Sequence, residues 1–445
     1  MQRRKVTKTR RTPNEKIQHR DAEMQRKRPV PSASLRFKFF HPTESRRHLT
    51  LIIIALTAFV FLGLPGGLRN VTWPSISDMA GVSLGELGTL VVAISIGYIS
   101  SSALSGYALS RLGFGTLITL AAALMAVSLL GFAFVTAWPL LLLFGFLGGL
   151  GGGTIDPALN TYVSTHYSLR TLNWLHGAFG IGAAAGPLMM TQLLAMNRPW
   201  QDGYRLAAGL LIAFGILLAF VRGSWRSLAP PSSDQVAPQK AATSGETLRL
   251  PIVWLSILFF FVYVGLEIGT GDWAFALFHE SRGVAEATAT LWVGIYWGAF
   301  TIGRFGFGAW MGRFNINHLL RAMFTLAIIG TALIWGNFSN TVSFIGLVML
   351  GLSLAPMFPL VIAANQERMG AQHVANAVGF QIAGAVLGSA IMVRIQGFLV
   401  DAIDLETIGP FLFALAIGQF AIHELLIAHD RRRTLRVQPA VADAP

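Results

Sequence analysis

The stretch LIIIALTAFVFLGLPGG at residues 51–67 returns in altered form as VWLSILFFFVYVGLEIG at residues 253–269. Both stretches are apolar, and their glycines coincide, since Gly63 pairs with Gly265 and Gly67 with Gly269 at an offset of 202 residues. The same offset relates six further pairs: Gly106 and Gly308, Gly149 and Gly351, Gly182 and Gly384, Gly186 and Gly388, Pro157 and Pro359, and Arg111 and Arg313. This repetition predicts two similar halves.

The composition predicts a membrane protein. Of the 445 residues, 53% are hydrophobic and only 12% are charged, and about 20 consecutive apolar residues can cross a bilayer as a helix. Twelve stretches have this character, at about 49–74, 84–109, 114–135, 138–164, 172–196, 203–221, 250–278, 286–311, 318–338, 341–365, 376–401 and 404–428. A transmembrane β-barrel would show short alternating segments instead. We therefore predict an all-α polytopic protein with 12 transmembrane helices in two pseudo-symmetric six-helix halves, an architecture common among secondary transporters.

The polar segments divide the chain into five parts: a basic disordered tail (1–48), the first half (49–222), a flexible linker (223–249), the second half (250–428) and a second tail (429–445). The first tail holds 15 Lys/Arg against 4 Asp/Glu, so it carries most of the net charge of +13. We interpret it as a solvated segment that contacts anionic membrane lipid and not as a nucleic-acid site.

The loop charges predict the orientation. Arginine and lysine are concentrated in the loops that share a side with the basic tail, whereas the opposite loops are mostly acidic. By the positive-inside rule, both termini are expected in the cytoplasm, in a multi-pass protein of a bacterial inner (plasma) membrane.

Several enzymatic interpretations fail on spacing. The chain has no cysteine, which excludes thiolate metal sites, thiol catalysis and disulfides. A zinc-protease pattern would need a second histidine four residues after His423, where Ile427 stands. The glycines at 180, 182 and 186 lie inside an apolar helix and not after a strand, so we assign them to helix packing. We expect no enzyme activity, no cofactor and no metal.

Two carboxylates lie deep inside predicted membrane helices. Asp156 shares a helix face with Asn160 in the fourth stretch, and Glu267 lies near the middle of the seventh. Such groups are costly in hydrocarbon and usually line a cavity or pair internally. We expect both to line a cavity and to couple transport to protons, with an ion pair between Asp156 and Arg304 as the alternative.

Further polar and aromatic residues inside the membrane stretches are candidates for binding a solute. They are Asn160, Asn173, His176, Tyr263, Trp292, Tyr296 and Gln381. His176 could instead pack against a hydrogen-bonding partner, and Trp292 could lie at the membrane interface. We expect a structural or gating role for Arg304 and for two arginines in equivalent short loops, Arg111 and Arg313.

The motifs resemble those of the major facilitator superfamily. The resemblance rests on four stretches: Gly153 to Val163, Leu172 to Pro187, Tyr263 to Gly269, and Gly303 to Arg313. It covers about residues 50–428. Within the superfamily, the motifs most resemble the branch that holds the bacterial fucose permease, the sodium-dependent glucose transporters and the fungal bypass-of-stop-codon proteins.

The resemblance implies proton coupling at Asp156 and cavity-facing side chains at Asn160, Asn173 and His176. The permease's second acid, in its first helix, corresponds here to Asn70, which cannot titrate. We therefore expect alternating access for a small, sugar-like solute, driven by protons or sodium. Proton-driven efflux of drugs or metabolites is the alternative.

Overall fold

The structure is a computed structural model that describes residues 42–167, 169–227, 242–310 and 315–437. The first half comprises α1 (Pro42–Ala80), α2 (Leu87–Leu112), α3 (Phe114–Phe134), α4 (Trp138–His166), α5 (Leu169–Ala195) and α6 (Gln201–Val221). The second half comprises α7 (Pro251–Ala276), α8 (Glu286–Trp310), α9 (Ile316–Gly336), α10 in two pieces (Asn340–Leu354 and Met357–Met369), α11 (Ala371–Ala402) and α12 (Ile408–Val437). Shorter segments link them: 3-10 turns at Leu84–Glu86, Arg222–Ser227 and Leu405–Thr407, a π-helical turn at Leu277–Ser281 and a short helix at Ser244–Leu248.

These helices confirm the predicted all-α membrane architecture. Within the described ranges, 11 helices are long and apolar enough to cross a bilayer. The remaining long helix, α8, has 25 residues and occupies the eighth predicted stretch. The break in α10 falls at Pro356, where a proline cannot donate the backbone hydrogen bond that would continue the helix.

The helix ends differ from the hydropathy boundaries. The first helix begins at Pro42 instead of residue 49, and α12 continues to Val437 instead of ending near 428. Hydropathy marks the part of a helix that suits hydrocarbon, whereas polar residues can extend a helix beyond it. Pro42 also suits the first turn of a helix, where no backbone N–H is needed. Residues 1–41 of the predicted tail lie outside the described residues.

The predicted linker has local structure at both ends, whereas its residues 228–241 lie outside the described part of the chain. Thr243 and Glu246 cap the helix Ser244–Leu248 reciprocally: the Thr243 N–H donates to the Glu246 carboxylate at 2.7 Å, and the Glu246 N–H to the Thr243 hydroxyl at 3.2 Å. These bonds lower the pKa of Glu246 below its usual value. Asn376 at the start of α11 donates to the Ala242 carbonyl at 2.7 Å, so this end of the linker is docked on the second half.

The 202-residue repeat is also a repeat of contacts. Gly149 on α4 lies so close to α2 that an added Cβ would be 2.0 Å from the carbonyl oxygen of Ile94, and a Cβ at Gly351 on α10 would be 2.5 Å from the carbonyl oxygen of Tyr296 on α8. Both distances are shorter than van der Waals contact. Ile94 and Tyr296 are themselves 202 residues apart. The glycines are therefore needed for the same close approach of helices in each half.

The two halves meet along a seam formed by two equivalent helix pairs. In one pair, α2 packs on α11, where Gly88 lies against the backbone of Arg394. In the other, α5 packs on α8, where Gly180 lies against Thr301. The repeat offset carries α2 onto α8 and α5 onto α11, so the seam has the pseudo-twofold arrangement that positions a site between the halves.

Candidate functional site

The first buried acid, Asp156, is held by neutral donors of its own half. The Asn160 amide, one turn later on α4, donates to Asp156 Oδ1 at 2.5 Å, and the Tyr98 hydroxyl on α2 donates to Oδ2. Among the described residues no ion pair involves Asp156. An ionised carboxylate without a cation is costly inside a membrane. This environment therefore suits a carboxyl that gains and loses a proton.

The second buried acid, Glu267, lies beside a cation. Arg304 Nη2 on α8 is 3.9 Å from Glu267 Oε2, and both side chains are 7% exposed. The same nitrogen reaches the Tyr263 hydroxyl, one turn before Glu267, at 3.5 Å. The Tyr296 hydroxyl donates to the backbone carbonyl of Glu267 at 2.8 Å. Arg304 therefore forms its ion pair with Glu267, and the alternative prediction of an ion pair between Arg304 and Asp156 is wrong.

Arg304 also links the two halves. Its guanidinium lies 4.3 Å from the centre of the Phe300 ring, a distance typical of cation–π contact. It reaches the backbone carbonyl of His176 on α5 at 3.5 Å. The His176 ring lies 5.6 Å from the ring of Phe358 on α10. Polar and aromatic groups of opposite halves therefore meet at this point of the seam.

A cavity lies where these groups meet. Asn173 and His176 line it from the first half, and Arg304, Phe307, Pro356, Phe358 and Pro359 line it from the second. The space open to the centre of a water molecule is about 10 Å³, close to what one water needs. The halves must therefore separate here before a larger solute can enter.

The repeat offset shows that the two halves differ chemically at the level of Asp156. Tyr98 and Asp156 of the first half correspond to Phe300 and Phe358 of the second. The first half thus has a hydrogen-bonded acid where the second has two phenyl rings, with the Arg304 guanidinium over both.

A third buried charge cluster joins the halves towards the far end, the end of the bundle that carries residues 81–86, 135–137, 196–200, 277–285, 337–339 and 402–407. Arg69 Nη2 on α1 donates to both carboxylate oxygens of Asp272 on α7, at 2.8 and 3.1 Å. The side chains are 14% and 1% exposed. Further contacts accompany this pair: Asp401 on α11 accepts from the Ser83 hydroxyl at 2.7 Å, at an exposed position, and from the Gly85 N–H at 2.9 Å, at a partly buried one.

In the described ranges, no three His, Asp or Glu side chains lie together in a way that could bind a metal ion.

Comparison with known proteins identifies the family. The model of the Major Facilitator Superfamily matches residues 50–393. The chain belongs to this superfamily. It is a multi-pass membrane transporter.

Individual members of the superfamily resemble the chain at low identity. The glucose/mannose transporter GlcP of Bacillus subtilis is 23% identical over 310 residues, which cover 68% of this chain and 76% of that protein. Bypass of stop codon protein 6 of Saccharomyces cerevisiae is 22% identical over 404 residues, which cover 83% and 81%. A crystal structure of a D-xylose-proton symporter superposes with a TM-score of 0.68 at 14% identity, and covers 84% of this chain and 97% of its own. The last similarity concerns the fold alone.

The structure places the predicted site residues of this transporter in distinct groups. Asn173 and His176 line the seam cavity with Arg304. Asn160 bonds Asp156, whereas Tyr263 and Tyr296 are fully buried around Glu267. Of these groups, the one at the seam cavity combines residues of both halves.

Other predicted residues lie away from that cavity. Trp292 stacks on Phe344, with ring centres 4.7 Å apart. Gln381 is buried within α11. Arg111 is exposed and lies over the Tyr107 ring at 5.5 Å. Arg313 lies outside the described residues.

The sequence reasoning missed three partners that define these groups. Tyr98 is the donor to Asp156, Phe358 lies between His176 and Arg304, and Arg69 pairs with Asp272. A polar Tyr98 within an apolar run was one available signal. The cation of Arg69 within the first membrane stretch was another, because such a charge needs a partner.

Proposed function

We propose that this transporter carries a small, sugar-like solute through the membrane by alternating access at the seam, coupled to protons. The observation that carries the proposal is the cavity between the halves, to which each half contributes polar side chains. Asn173 and His176 offer hydrogen bonds to hydroxyl groups, and Phe358 offers an aromatic face for the apolar side of a sugar ring. A relative that is named as a glucose/mannose transporter supports the solute class.

We assign the proton to Asp156 and a charge-balancing role to Glu267. Asp156 is held by the neutral donors Tyr98 and Asn160, so uptake of a proton removes a charge that no cation compensates. Glu267 lies near Arg304, so its ionised form is compensated. Protonation of Asp156 would change the relative stability of the inward- and outward-open states, which is how an ion gradient drives a solute.

The orientation of the protein is part of the proposal. Because positive charge is concentrated in the loops on the side of the termini, we assign that side to the cytoplasm of a bacterial inner membrane and the far end to the outside. Anionic lipid on the cytoplasmic surface would hold the basic tail.

The test is solute accumulation in proteoliposomes, with radiolabelled glucose, mannose, fucose and xylose as probes. A pH gradient and a sodium gradient are imposed separately. We expect accumulation of at least one sugar under the pH gradient. No accumulation of any sugar under either gradient would refute the sugar assignment, and accumulation under sodium alone would refute the proton.

Variants separate coupling from binding. Asp156→Asn should abolish accumulation driven by the pH gradient but retain exchange of labelled for unlabelled sugar across the vesicle membrane. Exposed Asp78 provides a matched control, since Asp78→Asn removes the same charge at a position outside the seam. If Asp156→Asn still accumulates sugar against its gradient, the assignment of the proton is wrong.

A further inference from the structure

We propose that Asp272 is a second proton-responsive acid of this transporter, whose ionised form holds the far end closed by pairing with Arg69 across the seam and whose protonated form lets that end open. The inference rests on the proposed function only for the driving proton, because the closure itself can be measured without any solute.

The donors to Asp272 come from the opposite half. Arg69 on α1 supplies two hydrogen bonds to the carboxylate of Asp272 on α7. Asn70, the next residue of α1, takes the amide orientation that satisfies its bonds: the nitrogen donates to Asp272 Oδ1 at 2.5 Å and to the Gly66 carbonyl at 2.7 Å, and the oxygen accepts from Trp297 Nε1 at 2.9 Å. The carboxylate is therefore compensated only while the halves are together at the far end.

The repeat places this contact close to the pseudo-twofold axis. Asn70 and Asp272 are 202 residues apart, so they are equivalent positions of α1 and α7, and they touch each other. One half contributes a neutral amide at this position and the other an acid. A change of charge at this single acid therefore acts directly on the contact between the halves.

The pair of Arg69 and Asp272 is more buried than the other charged contacts described between the halves at the far end. Asp272 is 1% exposed, whereas Asp401 bonds Ser83 at an exposed position and Arg394 lies 3.9 Å from Glu86 with 45% of its side chain exposed. Exposed pairs contribute little to an equilibrium, but a buried charge separated from its partner is costly. Opening with Asp272 ionised is therefore unfavourable.

A proton removes this obstacle. When a proton from water at the far end binds a carboxylate oxygen of Asp272, the acid becomes neutral and no longer requires Arg69. Among the described residues, the other titratable groups that interact with Asp272 are Tyr204 on α6 and Tyr296 on α8. The preceding acid on its own helix, Glu267, lies five residues earlier. The Tyr204 hydroxyl bonds Thr72 and the Tyr296 hydroxyl bonds the Glu267 carbonyl, so neither replaces Arg69 as a partner of Asp272.

The test measures the opening of the far end by the distance between two spin labels. Since the chain has no cysteine, Met196→Cys and Phe338→Cys give one label in each half. These positions are 69% and 76% exposed and lie at the far end. Interspin distances are recorded in lipid nanodiscs without solute, at neutral and at acidic pH.

The parent protein should show a short distance at neutral pH and an added long distance in acid. Asp272→Asn, which mimics the protonated acid, should show the long distance at both pH values. We expect the ratio of long to short populations to rise about tenfold or more, the order expected for loss of a buried charged hydrogen bond. Arg69→Gln should give the same result, and it replaces Asp272→Asn in the measurement if that variant does not fold.

The control removes ion pairs at the same end that do not cross the seam. Asp202 pairs with Arg198 and Arg205, both in its own half, at 2.6 Å, so Asp202→Asn should keep the parent's distances. The proposal is overturned if Asp272→Asn and Arg69→Gln keep the parent's distances at neutral pH. It is also overturned if, in a protein that already carries Asp156→Asn, the response to acid survives the addition of Asp272→Asn. A failure of sugar accumulation would leave the distances unchanged, so the two proposals fail separately.

Discussion

The ion pair between Arg304 and Glu267 tests whether burial or distance has the larger effect on the strength of an ion pair. Its atoms are 3.9 Å apart and each side chain is 7% exposed. Two unit charges about 4 Å apart attract by about 4 kcal/mol at an effective dielectric constant of about 20. Removal of one partner of a buried pair costs about 3–5 kcal/mol, because the other charge remains without compensation. Arg304→Met and Glu267→Gln should therefore each destabilise the transporter by this amount.

The double variant should lose less than the two single losses together. It leaves neither charge buried alone, so we expect a coupling energy of about 0.5–3 kcal/mol, the range found for residues in direct contact. The assay is thermal unfolding of the purified protein in detergent, for the parent, both single variants and the double variant.

A second pair in the same half provides the control. Arg321 and Glu424 are closer, at 2.7 Å, but their side chains are 34% and 42% exposed. Solvent screens such pairs, so Arg321→Met and Glu424→Gln should show much weaker coupling. If the exposed pair couples as strongly as the buried one, or if the losses at Arg304 and Glu267 simply add, the reasoning from burial is refuted.

Two further predictions concern the packing of each half. Gly149→Val should prevent recovery of a monodisperse protein in gel filtration, because a Cβ would overlap the Ile94 carbonyl, whereas Gly209→Val, where a Cβ meets nothing within 4 Å, should behave as the parent. Arg282 donates to the Glu406 carboxylate at 2.7 Å, and the two side chains are 3% and 38% exposed. Glu406→Gln should lower the thermal midpoint more than Arg282→Met, because it leaves the buried Arg282 charge without its partner. Equal midpoints for these two variants would contradict the prediction.

The architecture was predictable because it depends on patterns that a single chain displays. Apolar runs of membrane length gave the number and order of the helices, and the repeated glycines predicted the two halves. Small residues at fixed positions are required for close helix contact, as at Gly149, so packing itself maintains this signal in the sequence.

The pairings at the seam were not predictable to the same degree. The bond between Asp156 and Asn160 follows from a four-residue spacing on one helix. The pairs Arg304–Glu267 and Arg69–Asp272 join different helices, and their formation depends on the rotation and height of each helix relative to its neighbours. Hydrophobic periodicity does not encode either quantity, so sequence analysis located the charges but not their partners.

The replacement of Tyr98 and Asp156 by Phe300 and Phe358 in the second half has a consequence for any molecule that rests at the seam. At this level the first half has an acid and an amide, and the second half has phenyl rings beside a guanidinium. A solute with one polar and one apolar side would therefore bind in the same orientation in every transport cycle. Two identical halves would present the same groups on both sides and could not select one orientation. Orientational selectivity at this seam therefore depends on the equivalent positions at which the two halves differ.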